Sequence, residues 1–213
     1  AFRPLVHDFL GLPGFSADGI GDGEHPVGAA VQLVGFLEPV HGRRLSVSCN
    51  GEAIETEALV QLAESRIAGE AEYDLGRYPA AAETLQAYAA AAPQPKRTAL
   101  YKLGMSQFQL QQYADAAKML SKSAGVASDA MAQSAWLNAG KAYISSQNKR
   151  QASIAFQQAA QMNADPATKE EAAYNYALTL HQGAEMGFGE SVTEFERFLN
   201  NYPNSQYASS VAQ

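Results

Sequence analysis

Leu100-Tyr101-Lys102-Leu103-Gly104 returns as Trp136-Leu137-Asn138-Ala139-Gly140, a step of 36 residues (100 to 136). In each stretch a bulky residue is followed three places on by Leu or Ala, and then by Gly. A second stretch repeats at the same step, with Tyr113, Ala116 and Leu120 matching Lys149, Ala152 and Phe156. Apolar positions three and four apart mark a helix face. Self-similarity at about 35 residues marks a helical hairpin stacked on copies of itself, because one hairpin cannot bury its apolar face alone. The small residues let the helices approach: Gly104 and Gly140 in the first helix and Ala116 and Ala152 in the second leave room, and Trp136 and Phe156 fill what remains. A helical Gly costs about 0.5–1 kcal/mol against Ala, so its recurrence at one step points to a packing use.

Outward from these repeats, helix punctuation divides the chain. Residues 53–213 are expected to form a repeat array, with hairpins at about 54–93, 96–125, 129–163 and 166–203 and a further one starting at 205. Pro93 closes the first, and Ser128-Asp129 offers oxygen acceptors to cap the helix that follows. Asp165-Pro166 reads as an N-cap with proline in the first helical turn. The fourth hairpin has two extra residues between its helices: Gly140 to Ala177 is 37, whereas Phe156 to Phe195 is 39. A longer exposed turn over Gly183–Gly189 is therefore expected.

Residues 1–52 differ in kind, with glycines at 11, 14, 19, 21, 23, 28, 35, 42 and 51 and prolines at 4, 13, 26 and 39. Such density punctuates any long helix. One helical stretch is expected over 27–38, where Ala29-Ala30, Leu33 and Phe36 match Ala81-Ala82, Leu85 and Tyr88 at a shift of 52. Alternation over Arg44–Cys49 predicts a short strand, with a turn at Cys49-Asn50-Gly51. The ends, Ala1-Phe2-Arg3 and Val211-Ala212-Gln213, suggest a piece of a longer protein.

Lys and Arg number 15 against 22 Asp and Glu, a formal charge of −7. That balance argues against a nucleic-acid partner, which needs a clustered basic face; Lys96-Arg97 reads as a solvated helix start. No run of about 18 apolar residues is present to span a membrane. A single cysteine, Cys49, leaves the redox compartment open. Catalytic and metal signals are thin. His7, His25, His41 and His181 lie apart and make no helical zinc spacing. Gly14-Phe15-Ser16-Ala17-Asp18 lacks the closing Gly of a nucleophile elbow. Asp18–Gly23 begins like a calcium loop, but Ile20 and Ala29 occupy ligand positions. No catalytic residue, metal or cofactor is expected, and the chain is not expected to be an enzyme.

As a set, Trp136, Ala139, Gly140, Tyr143, Ala152, Phe156 and Ala159 resemble the tetratricopeptide repeat family. Leu100, Leu103, Gly104, Tyr113, Ala116 and Leu120 repeat the pattern, as do Ala68, Gly69, Tyr78, Ala81 and Leu85, and then Ala177, Phe195 and Phe198. The resemblance implies an all-α superhelix of helical hairpins whose first helices line a concave groove. Carried onto matching positions, the groove holds Arg66, Glu70, Tyr73, Tyr101, Met105, Phe108, Leu137, Lys141, Ile144, Tyr174, Leu178 and His181. This is a largely apolar trough suited to a partner helix or extended peptide. Some family members grip a peptide carboxylate with basic groove residues; here Arg66, Glu70, Lys102, Ser134 and Asn138 stand at those places, and Glu70 would repel it. Phe195–Ser205 is similar to repeats in bacterial cell-envelope proteins, such as outer-membrane assembly lipoproteins and the Tol–Pal accessory protein. The expected role is a non-catalytic protein–protein scaffold within a bacterial envelope protein, periplasmic or outer-membrane-associated. The competing expectation is the helical support of a carbohydrate-handling surface protein, in which Trp136 would stack on sugars.

Overall fold

The computed structural model describes residues 46–49, 52–183 and 188–208, and side chains over 58–183 and 191–208. The expected helix over 27–38, three of the histidines, and residues 184–187 of the long turn lie outside these. Among the described residues, two short strands precede eight helices: β1 (Ser46–Cys49), β2 (Glu52–Glu55), α1 (Thr56–Asp74), α2 (Tyr78–Ala91), α3 (Arg97–Gln109), α4 (Tyr113–Ala124), α5 (Ala130–Ser145), α6 (Lys149–Gln161), α7 (Pro166–Gln182) and α8 (Phe188–Asn201). The strands pair antiparallel, Ser46 with Glu55 and Cys49 with Glu52. β2 thus takes residues that helix periodicity had assigned to the start of α1.

Each helix packs on its neighbours in sequence, α1 on α2, α2 on α3, and so on to α8. The first helices of adjacent hairpins also touch, α1 with α3, α3 with α5 and α5 with α7, while the second helices make at most marginal contact with one another. Close first helices and splayed second helices bend the stack, so the first helices line its inner side. The architecture is an all-α superhelix of stacked hairpins.

Closure of the first three hairpins rests on one recurring contact. A Cβ placed on Gly69 would sit 2.7 Å from Leu85 Cγ, on Gly104 2.7 Å from Leu120 Cγ, and on Gly140 2.5 Å from the Phe156 ring. No side chain fits at those distances, which is why glycine returns there. Leu85, Leu120 and Phe156 are each almost wholly buried. The turns recur too. Gly76, Gln111 and Gln147 are left-handed, at φ of 72°, 62° and 62°. The amide that follows each reaches back to the preceding helix, as Arg77 N–H to Glu72 C=O (2.8 Å), Gln112 to Gln107 (2.9 Å) and Asn148 to Tyr143 (2.8 Å). This is the Schellman closure, which satisfies carbonyls at a helix end.

The expected caps are present. Asp129 accepts from Ala132 N–H (2.7 Å) and Asp165 from Thr168 N–H (2.8 Å), with Pro166 in the first turn of α7. Asn148 caps α6 through Gln151 N–H (3.2 Å).

Candidate partner-binding face

The groove residues expected from the repeat pattern come from α1, α3, α5 and α7, and the structure divides them by what they touch. Several are tied into the stack. Leu137 is 5% exposed and lies in a core cluster with Phe156, Ala159 and Ala172; it is a packing residue. Tyr101 is half-buried, its hydroxyl 3.0 Å from Ser134 Oγ and accepting from Asn138 Nδ2 at 3.2 Å. It therefore joins α3 to α5. Phe108 packs edge-on against Tyr113, and Tyr73 against Tyr78, each at the closed end of its own hairpin. Tyr174 stacks on Tyr207 (centroids 4.5 Å apart) and also meets Phe198. Ile144 packs against the Leu137 and Phe156 cluster.

Charges on this face are more numerous, and more ordered, than an apolar trough would have. Lys102 donates to both carboxylate oxygens of Asp74 (2.7 and 2.8 Å), joining α3 to α1. Its ammonium lies 5.6 Å from the centre of the Tyr73 ring, within cation–π range. Lys141 pairs with Glu171 (2.7 Å), joining α5 to α7. Arg66 holds Glu70 one turn along α1 (3.2 Å), and Thr98 donates to the other Glu70 oxygen (3.2 Å). Burial, with the neighbouring Tyr101, Tyr78 and Asp74, pushes the Tyr73 phenol up, so it stays protonated at neutral pH.

One set of positions recurs at the same register. Glu70, Met105, Lys141 and Leu178 follow the glycine position in their four first helices, and all four are half-buried, Met105 with part of its side chain against the Leu120 and Ala139 cluster. Acid, thioether, base and branched aliphatic thus alternate along the inner side. His181 is exposed at the end of α7, its ring edge-on to Phe195.

Sequence reasoning missed a second layer, the clasps between hairpins. Arg97 reads as a solvated helix start, but it forks onto Asp129 with two 2.9 Å bonds and donates to Ser123 C=O at 2.9 Å. The fork, with Ala132 N–H second, holds the Asp129 carboxyl down at about 2. One repeat on, Gln133 fills the same place with different chemistry. Fully buried, it donates to Ala159 C=O (3.0 Å) and Met162 C=O (3.1 Å) and accepts from Asp165 N–H (2.7 Å). Glu170 then accepts from Ser205 Oγ (2.6 Å). Near their starts α3, α5 and α7 thus each carry a residue that grips the start of the next hairpin's first helix, or of the segment after α8. The available signal was the step, 97 to 129 and 133 to 165 both being 32; side-chain type hid it.

Among the described residues no group of three or more His, Cys, Asp and Glu could hold a metal ion, and no helix is long and apolar enough to cross a membrane. A tetratricopeptide repeat family model matches residues 98–123, within α3 and α4. No curated protein matches the chain.

Proposed function

We propose that this chain, which carries a tetratricopeptide repeat over residues 98–123, is a non-catalytic scaffold that holds a partner polypeptide along the inner side of its stack. The supporting observation is the row Glu70, Met105, Lys141 and Leu178, one residue from each first helix, half-buried and regularly spaced. Alternating apolar and charged groups suit a peptide or helix that lays side chains into successive sites while its polar groups meet Lys141 and Glu70. Lys141 is partly exposed beside Glu171, and an exposed pair is worth only about 0–1 kcal/mol, so a partner carboxylate can displace it cheaply. The envelope setting belongs to the same proposal and rests on the Phe195–Ser205 likeness.

The test is a pull-down from bacterial envelope and soluble extracts with the parent chain and a Met105→Ala, Lys141→Ala, Leu178→Ala variant, after circular dichroism shows equal helicity. A partner captured by the parent and lost by the variant is expected. Equal capture would move binding off this face. Tyr101 is left out of the variant because its hydroxyl joins α3 to α5.

A carbohydrate-stacking role for Trp136 is the weaker reading. Its indole is half-buried and packs against three core clusters, which contain Leu120, Ala135 and Leu137. A blue-shifted Trp emission unmoved by glycans is expected.

A further inference from the structure

The joints between the four hairpins are fastened unequally. Arg97 and Gln133 clasp the joints of hairpins two with three and three with four, but the same register in α1, seven residues before the glycine, holds Leu62. Leu62 is half-buried against the cluster of Leu85, Tyr88, Ala99 and Leu103, and has no polar group to offer α3. The receiving end differs too. α5 and α7 start on the capping carboxylates of Asp129 and Asp165, whereas α3 starts on Lys96 with no side-chain cap. The Lys96 amide donates to Tyr88 Oη instead, at 3.1 Å. Of the connection Ala92-Pro93-Gln94-Pro95-Lys96, two residues have no N–H with which to be tied down. Where Tyr143 of α5 meets Ser121 of α4 (3.4 Å), α3 carries Gln107. Its Nε2 donates to Gln86 (3.2 Å), and its Oε1 is buried without a partner, which costs the joint stability.

What ties α1 to α3 is charge on the inner side. Lys102 donates to both Asp74 oxygens and to Glu70 C=O (3.4 Å) and stands over the Tyr73 ring, while Thr98 donates to Glu70. The Asp74 side chain is 62% exposed, so salt screens this pair. We propose that hairpin one swings as a unit on hairpin two, with Lys102 as the catch and the connection 92–96 as the pivot. The two lie at opposite ends of hairpin one, since α1 ends at Asp74 beside the turn and α2 ends at Ala91. The swing parts Asp74 and Tyr73 from Lys102 and widens the inner side between Glu70 and Met105. Salt, or a carboxylate that takes Lys102 from Asp74, releases the catch. Hairpin one keeps its own helices as it moves, because Leu85 stays seated against Gly69 as in the other glycine-closed hairpins. Hairpins two to four stay in one piece, held by the Arg97 fork and by buried Gln133. The movement does not depend on where a partner lies.

Glu83, Lys118 and Ile154 stand at one register on α2, α4 and α6, and all three are exposed. The experiment uses the full chain with Cys49→Ser, spin-labelled at one of two pairs. Glu83→Cys with Lys118→Cys spans the pivot, and Lys118→Cys with Ile154→Cys spans the Arg97 clasp; distances are read by double electron–electron resonance. At about 0.5 M salt the 83–118 distribution should be about twofold or more broader than the 118–154 one, and it should narrow at about 0.05 M. Lys102→Met should leave the 83–118 pair broad at both salt concentrations, with circular dichroism and the amide protection of α1 and α2 unchanged. Equal widths for the two pairs, or a width that neither salt nor Lys102→Met moves, would overturn the proposal. So would loss of amide protection in α1 alongside the broadening, because that is hairpin one unfolding and not swinging.

Discussion

Hairpins one to three close in one way and hairpin four in another. In the first three, glycine meets a large buried side chain sixteen residues on (69 to 85, 104 to 120, 140 to 156), and the turn between them is left-handed. In the fourth, Ala177 holds the glycine position and is fully buried, Phe195 comes eighteen residues on, and Gly183 is extended at φ −85° and ψ 98°. Glycine, turn and spacing therefore behave as one device. When two residues enter the connection, the second helix no longer needs the hole that glycine leaves. The stacking of hairpin four on hairpin three keeps to the rule, because Gln133 still clasps Asp165 N–H and Lys141 still pairs with Glu171. Closing a hairpin and stacking it are separable problems in this chain.

The largest expected effect tests that separation. Gln133→Leu keeps a side chain of similar bulk but strips partners from two carbonyls and an amide at the joint of hairpins three and four. Unmade buried hydrogen bonds cost about 1–3 kcal/mol each, and with partial relaxation the loss should be about 3 kcal/mol by urea unfolding. Amide exchange should rise in α7 before α3. Uniform loss across the array would mean that hairpin four is not held separately at this joint.

Next comes the glycine itself. Gly140→Ala gains about 0.5–1 kcal/mol of helix propensity but drives a methyl into the Phe156 ring, and overpacking commonly costs about 1–3 kcal/mol. The net should be destabilising, with a lower Tm. Ala177→Gly should also destabilise, by about 1 kcal/mol, because there the methyl is packed and glycine only adds chain entropy. A more stable Gly140→Ala would break the comparison at its centre.

Much of this was legible in advance. Helix positions, the caps at Asp129 and Asp165, and the extra residues of hairpin four all follow from period, cap chemistry and spacing. The left-handed turns were legible only at Gly76, since Gln111 and Gln147 carry no mark of φ near 62° and are forced there by the packing of the helices they join. The first-helix positions were legible as a set, but not what each side chain touches. That Tyr101 meets Ser134, Leu137 the Phe156 cluster and Tyr174 the Tyr207 ring depends on neighbours distant in sequence. The clasps were hidden for a related reason, since Arg97 and Gln133 share a position and a task but no chemical type.

The turns offer a smaller contrast. Gly76 is left-handed with nothing near its missing Cβ, so Gly76→Ala should cost about 1 kcal/mol from backbone strain alone. Gly183→Ala carries no such strain at φ −85°, and its Cβ would lie 3.3 Å from Thr179 C=O. Its tight contact and the lower entropy of the unfolded chain should nearly cancel, within about 0.5 kcal/mol. Paired thermal melts decide it, and equal losses would mean that the two turns close their hairpins alike.

The smallest effect separates the two clasps by charge. Asp129 titrates at about 2 in the folded chain and near 3.9 when unfolded. Its contribution is therefore complete above about pH 4 and is lost as pH falls through about 2, the sign expected of a depressed carboxylate. Asp129 is half exposed, so solvent screening keeps the pair near the surface value of about 1 kcal/mol or less. Asp165 is also held low, by Thr168, but Gln133 beside it does not titrate. Asp129→Asn should therefore flatten part of the acid limb between about pH 4 and 2 while leaving the Asp165 share, and it should weaken the salt dependence at neutral pH. The check is the urea midpoint at about pH 5 and about pH 2.5 for parent, Asp129→Asn and Arg97→Gln. If all three fall by the same amount on acidification, the Arg97 fork contributes nothing to the joint of hairpins two and three, and the packing of Ala124 against Ala132 and Ala135 holds it instead.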